Sequence, residues 1–331
     1  MNKTIENEMK LAVDSILKSE NVYIVSHVQP DGDNLGSCLS LALAMKKIKK
    51  EVYILKVDET PSDFLFLPGI DMIKDYDDND EIDLLIAVDA SDMDRLGKNK
   101  ELVNSAKTVI NIDHHVSNTS FGDINVVDSN ASATGELIYK LINEIKIDID
   151  EDIATCIYTA ISTDTGSFMY DNTTAETHEI ASKLINYGAN KEDININIYQ
   201  NRSLERTQLF IKSLNSLDMY FDDQVAIIKI TQDMLKETAT TMEDTEGIIS
   251  FVRDIGPVEV AVLLKETNNE ETKVSMRSKR FVDVAKLTSV FNGGGHKKAA
   301  GCTVNKPIME VDKLLLSEIE KVIRWLNEWS Y

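Results

Sequence analysis

Several aspartates and histidines of this chain lie in short segments that suit the binding of divalent metal ions. These residues are His27, Asp31, Asp33, Asp89, Asp113, His114, His115 and Asp164. Carboxylate and imidazole donors without thiolates suit Mn²⁺, with Mg²⁺, Co²⁺ or Fe²⁺ as alternatives. Two such ions held close together can promote the hydrolysis of phosphoesters. The segments therefore predict a site for two divalent metal ions.

The segment from His27 to Asp33 also has a simpler interpretation. It contains Pro30 and Gly32 and is expected to form a loop, and an Asp-Gly-Asp sequence in a loop is commonly just a turn. The other segments favour the metal, because each ends an apolar run where an isolated buried charge would be costly. No matching set of lysines or arginines lies beside these carboxylates in the sequence, so metal ions are the simplest counter-charges.

The elements that must position these residues alternate between strand and helix in the first half of the chain. Strands are predicted at 21–28, 51–57, 82–88 and 108–112, and helices at 36–50, 132–145 and 152–162. Either Ser132 or Thr134 could cap the second of these helices. This alternation predicts a largely parallel sheet with helices on both faces, where ligands bind beyond the carboxyl ends of the strands. His27, Asp89 and Asp113 all lie at or just past such ends.

The pattern changes from residue 225 onward, where strands are predicted at 225–230, 258–265 and 272–277. We therefore expect an α/β protein with two domains and an active-site cleft between them. The N-terminal domain has a mainly parallel sheet flanked by helices, and the smaller C-terminal domain is mixed α/β. The predicted ranges are 1–188 for the metal-binding domain, 189–217 for a helical connector and 218–331 for a substrate-binding domain.

A second chemical signal is the glycine run at 293–295, which is followed by His296, Lys297 and Lys298. Consecutive glycines let the backbone approach a ligand closely, and their amides can form a nest for an anion. Three glycines alone usually indicate a flexible loop. The histidine and lysines that follow favour a loop that binds phosphate.

Bulk composition limits the partners of this 331-residue chain. Its net charge of −21 argues against a long nucleic acid as a partner, because such proteins need broad basic surfaces, and it favours a small phosphorylated substrate. Cys38, Cys156 and Cys302 are far apart and are expected to be reduced thiols. The start of the chain lacks the features of a signal peptide, and no apolar stretch is long enough to span a bilayer. We therefore predict a cytoplasmic protein without a membrane partner.

Four of these segments, in order, resemble the motifs of the DHH phosphoesterase superfamily: SHVQPDGDNLGS, AVDASDMDRLG, NIDHHVSN and STDTGSF. The segment GGGHKKAAG resembles the hallmark of the C-terminal DHH-associated domain of the RecJ-like branch. Length and layout are most similar to the bacterial nanoRNase/pAp phosphatases, which are oligoribonuclease-like enzymes. The resemblance covers essentially the whole chain.

The resemblance implies a role for each matching residue. One metal ion would be held by His27, Asp31 and Asp89, and the other by Asp33, Asp89, His114 and Asp164. Asp89 would bridge the two ions and count as catalytic together with His115, which would face the substrate phosphate or leaving group. Asp113 would orient its neighbours. The implied substrate-binding residues are Arg277, Ser278, Gly294, Gly295 and His296, with Arg253, Lys279 and Arg280 as looser candidates.

The resemblance also implies an activity, namely the metal-dependent hydrolysis of short oligoribonucleotides (nanoRNA) to mononucleotides, together with removal of the 3′-phosphate of pAp. One alternative is a stand-alone phosphodiesterase for cyclic di-AMP or its linear product pApA. An alternative of another class is a non-catalytic nucleotide-binding module, which the complete set of expected ligands disfavours. The sequence does not rank these substrates. It favours Mn²⁺ among the metals without fixing the ion used in the cell, and it leaves a homodimer open.

Overall fold

The computed structural model describes residues 3–76 and 81–328. It divides into two compact units, Met1–Asn201 and Arg202–Tyr331. The dividing point falls within the segment 189–217 that the sequence predicts as a connector. The predicted domain ranges also include residues 1, 2, 77–80 and 329–331, which lie outside the described residues.

The first unit contains a six-stranded sheet in which every strand pair is parallel. Its strands are β1 (Asn21–Val25), β2 (Glu51–Leu55), β3 (Ile73–Lys74), β4 (Leu84–Val88), β5 (Thr108–Asp113) and β6 (Ile124–Val127). The central strand β4, with the sequence LLIAV, is buried at every residue. A nearly continuous apolar run of this kind is typical of a parallel strand that is covered on both faces.

One face of this sheet packs against α-helices. These are α1 (Lys3–Lys18), α2 (Gly32–Lys47), α3 (Thr134–Ile145), α4 (Glu151–Asp164) and α5 (Ala175–Asn186), and a short helix α6 (Lys191–Ile194) follows them. The other face is covered by the segment Met93–Asn104, in which two 3₁₀ turns meet at a kink at Gly97. The sequence correctly predicts that both faces of the sheet are covered. It does not predict that 3₁₀ turns, rather than an α-helix, cover the second face.

Strand order decides where ligands bind to such a sheet. The order is β3-β2-β1-β4-β5-β6, so the chain runs outward in one direction from β1 and in the other direction from β4. The loops beyond the carboxyl ends of these two central strands leave in opposite directions, which opens a crevice between them. The residues that follow β1 and β4 are the metal-binding candidates His27 and Asp89.

Helix α2 begins earlier than predicted, and Asp33 lies in its first turn rather than in a loop. The side chain of Asp31 accepts a hydrogen bond from the Asn34 N–H and so caps the helix, although the sequence around it resembles a turn. Asp164 likewise lies within a helix, as the last residue of α4. The predicted loop between His27 and Asp33 is therefore shorter, and it ends at the cap Asp31.

Two glycines let α2 and α4 pack closely. A Cβ atom on Gly36 would lie 2.3 Å from the carbonyl oxygen of Cys156, and one on Gly32 would lie 2.5 Å from the side chain of Thr163. Residues four apart share a helix face, so both glycines contact α4. This close approach brings Asp33, in the first turn of α2, near Asp164 at the end of α4.

The second unit contains a mixed six-stranded sheet. Its strands are β7 (Asp218–Tyr220), β8 (Val225–Ile230), β9 (Val260–Asn268), β10 (Glu271–Ser278), β11 (Gly294–His296) and β12 (Ala299–Val304). They are arranged in the order β11-β12-β10-β9-β8-β7, and only β8 and β9 are parallel. The prediction of a smaller mixed α/β unit is confirmed.

Two separate cores cover this second sheet. Helices α10 (Val284–Ser289) and α11 (Ile308–Glu328) pack on one face, and α7 (Leu204–Leu214), α8 (Gln232–Thr238) and α9 (Ile248–Asp254) pack on the other. The segment predicted as one helical connector is divided, because α6 and the turn Asn195–Tyr199 belong to the first unit whereas α7 belongs to the second. Within the described residues, every helix is too short or too polar to cross a bilayer. All three cysteines are free thiols.

Candidate metal centre

The crevice between β1 and β4 gathers the aspartates and histidines that the sequence singles out. Three groups have ligand atoms that all lie within 4.8 Å of one another. These groups are His27-Asp31-Asp89, Asp33-His114-Asp164 and Asp89-His114-His115. Asp89 and His114 each belong to two groups, so the groups form one continuous cluster.

The first group lies around the imidazole of His27. Its Nε2 atom is 3.3 Å from Asp89 Oδ2 and 3.8 Å from Asp31 Oδ1. Its Nδ1 atom lies 2.8 Å from the carbonyl oxygen of Val28, which can only accept a hydrogen bond. Nδ1 therefore carries a proton, and Nε2 faces the carboxylates, where it would bind a metal ion once it has given up its own proton.

The second group lies around His114 and repeats this arrangement. Nδ1 of His114 lies 3.3 Å from the carbonyl oxygen of Ala131. Its Nε2 atom is 3.5 Å from Asp164 Oδ2, 3.8 Å from Asp33 Oδ2 and 3.9 Å from Asp89 Oδ1. The two oxygens of Asp89 thus point toward different histidines.

The N-terminus of α3 holds the two buried carboxylates in place. Asp33 accepts hydrogen bonds from the backbone N–H groups of Thr134 at 2.7 Å and Gly135 at 2.9 Å, and from the hydroxyl of Ser37 at 3.1 Å. The hydroxyl of Thr134 donates to Asp89 Oδ1 at 2.8 Å. Neither candidate cap behaves as predicted, because Ala133 is the cap residue of α3 and Ser132 donates to Glu136 instead.

His115 is held separately, by its neighbour Asp113. Nδ1 of His115 lies 2.7 Å from Asp113 Oδ1, and the other oxygen of Asp113 accepts a hydrogen bond from Asn118 at 2.6 Å. Asp113 is fully buried, whereas the side chain of His115 is 42% exposed. A histidine whose Nδ1 donates to a buried carboxylate presents Nε2 to a bound molecule. Sequence reasoning missed Asn118, Thr134 and Gly135 as supports of the site.

Negative charge dominates the cluster. Burial, together with the charges of Asp89 and Asp164, raises the pKa of Asp33 well above its ordinary value. Burial also raises the pKa of Asp164 to about 6, against the opposing effect of His114. Burial disfavours the charged form of His27, but Asp31 and Asp89 outweigh it and raise the pKa of the imidazole to about 10. The carboxylates therefore need positive charge close by.

Divalent metal ions fit this need. The donors are carboxylate oxygens and imidazole nitrogens, and their atoms converge. In each of the two Nε2-centred groups, Nδ1 of the histidine faces a backbone carbonyl, so Nε2 is the nitrogen left for a metal. Asp33 and Asp89 are only 2% exposed and lack a lysine or arginine partner within the described residues. The cluster is thus able to hold metal.

One arginine lies beside the cluster, and its side chain pairs with no aspartate among the residues that the structure describes. Nη2 of Arg95 is 3.1 Å from Nδ1 of His27. Because Nδ1 already donates to Val28, the guanidinium is a neighbouring positive charge rather than a hydrogen-bond partner. The backbone of Arg95 fixes this position, since its carbonyl accepts from the Val28 N–H at 2.7 Å and its N–H donates to Asp92 at 3.1 Å.

The substrate-binding candidates lie in the second unit. Arg277 on β10 and His296 on β11 are both directly opposite Ala299 of β12. Directly opposed residues point to the same face, so Arg277 and His296 share a face with a small residue between them, about 10 Å apart across two strand spacings. The glycine run is therefore part of a β-hairpin rather than a flexible loop.

The glycines of that hairpin differ in their surroundings. A Cβ atom on Gly295, where φ is +139°, would lie 2.5 Å from the carbonyl oxygen of Ala299, whereas one on Gly294 would meet nothing within 4 Å. Ser278 is only 3% exposed, and its hydroxyl lies 3.5 Å from the carbonyl oxygen of Lys297. Arg277, Gly294 and His296 are thus better placed for a ligand than Ser278.

Comparison with known proteins gives a consistent result for both units. Residues 21–161 match the DHH family, N-terminal domain, and residues 222–329 match the DHHA1 domain. The chain is 30% identical over 331 residues to the bifunctional oligoribonuclease and PAP phosphatase NrnA of Thermus thermophilus, covering 98% of this chain and 96% of that protein.

Two further similarities extend this result. The protein of the same name from Bacillus subtilis is 28% identical over 291 residues, covering 86% of this chain and 90% of that protein. The crystal structure of an exopolyphosphatase-related protein from Bacteroides fragilis has a TM-score of 0.90 and 28% identity, with 99% of this chain and 100% of that chain covered. The similarity to these proteins thus extends over most of the chain.

Proposed function

The chain belongs to the DHH family, and from that premise we propose that it is a metal-dependent phosphoesterase for short oligoribonucleotides. In this proposal it hydrolyses nanoRNA to mononucleotides and also removes the 3′-phosphate of pAp. The observation that carries the proposal is the pair of Nε2-centred groups around His27 and His114, which share the buried carboxylate of Asp89. Similarity to an oligoribonuclease and PAP phosphatase over 98% of the chain supports the choice of substrate.

The residues proposed to hold the metal are those of the two groups. His27, Asp31 and Asp89 would hold one divalent ion, and Asp33, Asp89, His114 and Asp164 would hold a second. Oxygen and imidazole donors make Mn²⁺ the favoured ion, ahead of Mg²⁺, Co²⁺ and Fe²⁺. When bound, such a pair of ions activates water at neutral pH and draws charge from the phosphate oxygens.

The chain itself contributes orientation and proton donation. Thr134 and the α3 amides fix the carboxylates of Asp89 and Asp33 before any ligand binds. Asp113 fixes the ring of His115, which leaves Nε2 to donate a hydrogen bond to a phosphate oxygen or a proton to the leaving oxygen. Arg95 adds positive charge at the edge of the cluster. These groups act on a phosphoester without needing contacts to a long polymer.

The experiment that tests this proposal compares four substrates side by side. Purified protein is incubated with Mn²⁺ and a mixed-sequence triribonucleotide, pApA, pAp or cyclic di-AMP, and products are resolved by chromatography. We expect mononucleotides from the trinucleotide and AMP from pAp, with all hydrolysis abolished by EDTA and restored by Mn²⁺.

Each other outcome has a definite meaning. Fast hydrolysis of cyclic di-AMP or pApA with a slow trinucleotide reaction would replace the proposed substrate with the cyclic dinucleotide and its linear product. No hydrolysis of any di- to pentaribonucleotide would contradict the proposal. Tight binding of these ligands without turnover would point to a non-catalytic nucleotide-binding module.

A further inference from the structure

Phe281 is the feature of the second unit that the proposed reaction leaves without a role. It lies in the connection between β10 and α10, directly after the segment Arg277–Arg280, and its side chain is 65% exposed. Apolar side chains are frequently exposed one at a time without any role. What distinguishes Phe281 is how firmly its backbone is held and what lies next to it.

A buried carboxylate anchors the backbone at this position. Glu259 is 8% exposed, and its oxygens accept hydrogen bonds from the backbone N–H groups of Arg280 at 3.1 Å, Phe281 at 2.5 Å and Val282 at 3.0 Å. Burying a carboxylate is costly unless several donors satisfy it. The chain therefore uses a buried charge to fix three consecutive residues of a surface connection.

The start of the connection is fixed as well. The N–H of Lys279 donates to the carbonyl of Glu259 at 2.9 Å. Its Nζ atom donates to the carbonyls of Ile255 at 2.8 Å and Gly256 at 3.1 Å, just beyond the end of α9. Lys279 is thus occupied structurally, and Arg253, another of the looser candidates, pairs with Asp254 at 2.8 Å.

The anchored connection lies beside the glycine-rich hairpin. The N–H of Ser278, just before the connection, donates to the carbonyl of Lys298 at 3.1 Å, and the N–H of Val284, just after it, donates to the carbonyl of Lys297 at 2.9 Å. Lys297 and Lys298 form the turn between β11 and β12 and are exposed. Phe281 therefore lies on a segment joined at both ends to the turn that follows His296.

The exposed cations beside Phe281 outnumber the nearby carboxylate of Asp283, which caps α10. The net charge is −21, yet Arg280, Lys297 and Lys298 are exposed cations on or directly beside this connection. Arg280 forms no ion pair within the described residues. An exposed aromatic ring next to such cations matches a nucleotide, whose base stacks on the ring while its phosphate meets the positive charge.

We propose that Phe281 is a stacking platform for the base of a bound nucleotide and that Glu259 is the residue that positions it. This inference deepens the proposed function and rests on it, because it names the part of the substrate that the second unit recognises. An aromatic ring stacks on any base, so the platform distinguishes a nucleotide from a bare sugar phosphate rather than one base from another.

The test compares the binding of AMP and ribose 5-phosphate to the full chain by isothermal titration calorimetry. We expect the wild-type protein to bind AMP about tenfold more tightly than ribose 5-phosphate, because only AMP carries a base. Phe281→Ala should reduce this ratio to nearly one, and Phe281→Trp should preserve it. Met309→Ala is the control, since Met309 is 59% exposed on α11 of the same unit and should leave the ratio unchanged.

A separate measurement tests whether Glu259 positions Phe281 or only stabilises the fold. Glu259→Gln places an amide donor against backbone donors, so the connection should loosen and the ratio should fall. Phe281→Trp should keep the ratio in the wild-type background but not in the E259Q background. In dinucleotide hydrolysis both E259Q and F281A should raise KM and leave kcat unchanged.

Two results overturn the inference. One is a wild-type protein that binds AMP no more tightly than ribose 5-phosphate, and the other is an F281A variant that keeps the wild-type ratio. Either result leaves the proposed function intact if Mn²⁺-dependent hydrolysis of oligoribonucleotides is observed. If the protein does not hydrolyse oligoribonucleotides, the proposed function is wrong. A measured loss of base-dependent binding in F281A would still support the role of Phe281.

Discussion

The metal centre of the first unit and the hairpin strip of the second hold their polar residues in different ways. In the metal centre, Asp33 and Asp89 are buried and each is held by donors from another element. In the strip, formed by β10, β12 and β11, strand register places Arg277 and His296 on the same face, on either side of Ala299. The metal centre fixes its side chains through hydrogen bonds, whereas the strip fixes the backbone that carries its side chains.

This difference matches two kinds of task. Catalytic groups must be held within a fraction of an ångström of their working geometry, which requires supporting hydrogen bonds. Residues that bind a phosphate or a base at a distance from the reaction tolerate more freedom, since their contribution is affinity. Substitutions in the metal centre should therefore change kcat, and substitutions in the strip should change KM.

The largest effect is expected at the shared carboxylate. Asp89→Asn should lower kcat for a diribonucleotide by at least about a thousandfold. The neutral amide cannot supply the negative charge that the groups around His27 and His114 share. The backbone should tolerate the change, since Asp89 has a φ of +60° and asparagine accepts left-handed conformations. Thermal unfolding should show a folded protein. Activity within tenfold of wild type would remove Asp89 from the centre of the mechanism.

The next effect tests whether supporting donors matter as much as ligands. Thr134→Val removes the hydroxyl that donates to Asp89 but keeps the shape of the side chain. Loss of such a supporting contact should lower activity or Mn²⁺ affinity by about 10–100-fold. Thr134→Ser retains the hydroxyl and should stay near wild type. Equal activity of T134V and T134S would show that the Thr134 hydroxyl does not matter and that α3 supports the site only through its backbone amides.

The helix contact behind the metal centre should affect stability. Gly36→Ala places a Cβ atom against the Cys156 carbonyl, so α2 and α4 must separate and the free energy of unfolding should fall by about 2 kcal/mol. Gly256→Ala is the control, because a Cβ atom there meets nothing within 4 Å. Urea denaturation measures both variants, and equal stability would contradict the close packing.

The smallest effect is expected in the strip. Arg277→Gln should raise KM for a diribonucleotide by about tenfold, the size expected for one charge-assisted contact, and leave kcat unchanged. Lys273→Gln removes the same charge four residues earlier on the same face of β10. It should have less effect, because Lys273 is opposite Thr303, whereas Arg277 is opposite Ala299, the residue that also pairs with His296. A loss of kcat in R277Q would contradict the expectation that substitutions in the strip change only KM.

The sequence predicts the metal centre better than its supports. Strands β1, β4 and β5 are apolar runs with little ambiguity, and their ends carry His27, Asp89 and Asp113, so a parallel sheet brings these residues together. The supports depend on contacts that local patterns do not contain. Thr134 has the position of a helix cap, but its hydroxyl bonds to Asp89, which is 45 residues away in the chain.

The start of α2 shows a similar limit. Pro30, Asp31 and Gly32 have the composition of a turn, and only the capping bond from Asn34 to Asp31 makes Gly32 the first residue of a helix. Phe281 and Glu259 carry no pattern at all in the sequence. Their relation emerges only when β9 and the connection after β10 lie side by side, because 22 residues separate them in the chain.

The bonds from Thr134 and Gly135 to Asp33 also have a consequence for how the first unit opens. The leading amides of α3 are closed off by a residue of α2 that lies 101 and 102 positions earlier in the chain. Their protons can exchange with solvent only when α2 moves away, so the two helices should open as one cooperative unit. The exchange rates of these two amides thus report whether Asp33 is in place, and they can be measured without substrate or turnover.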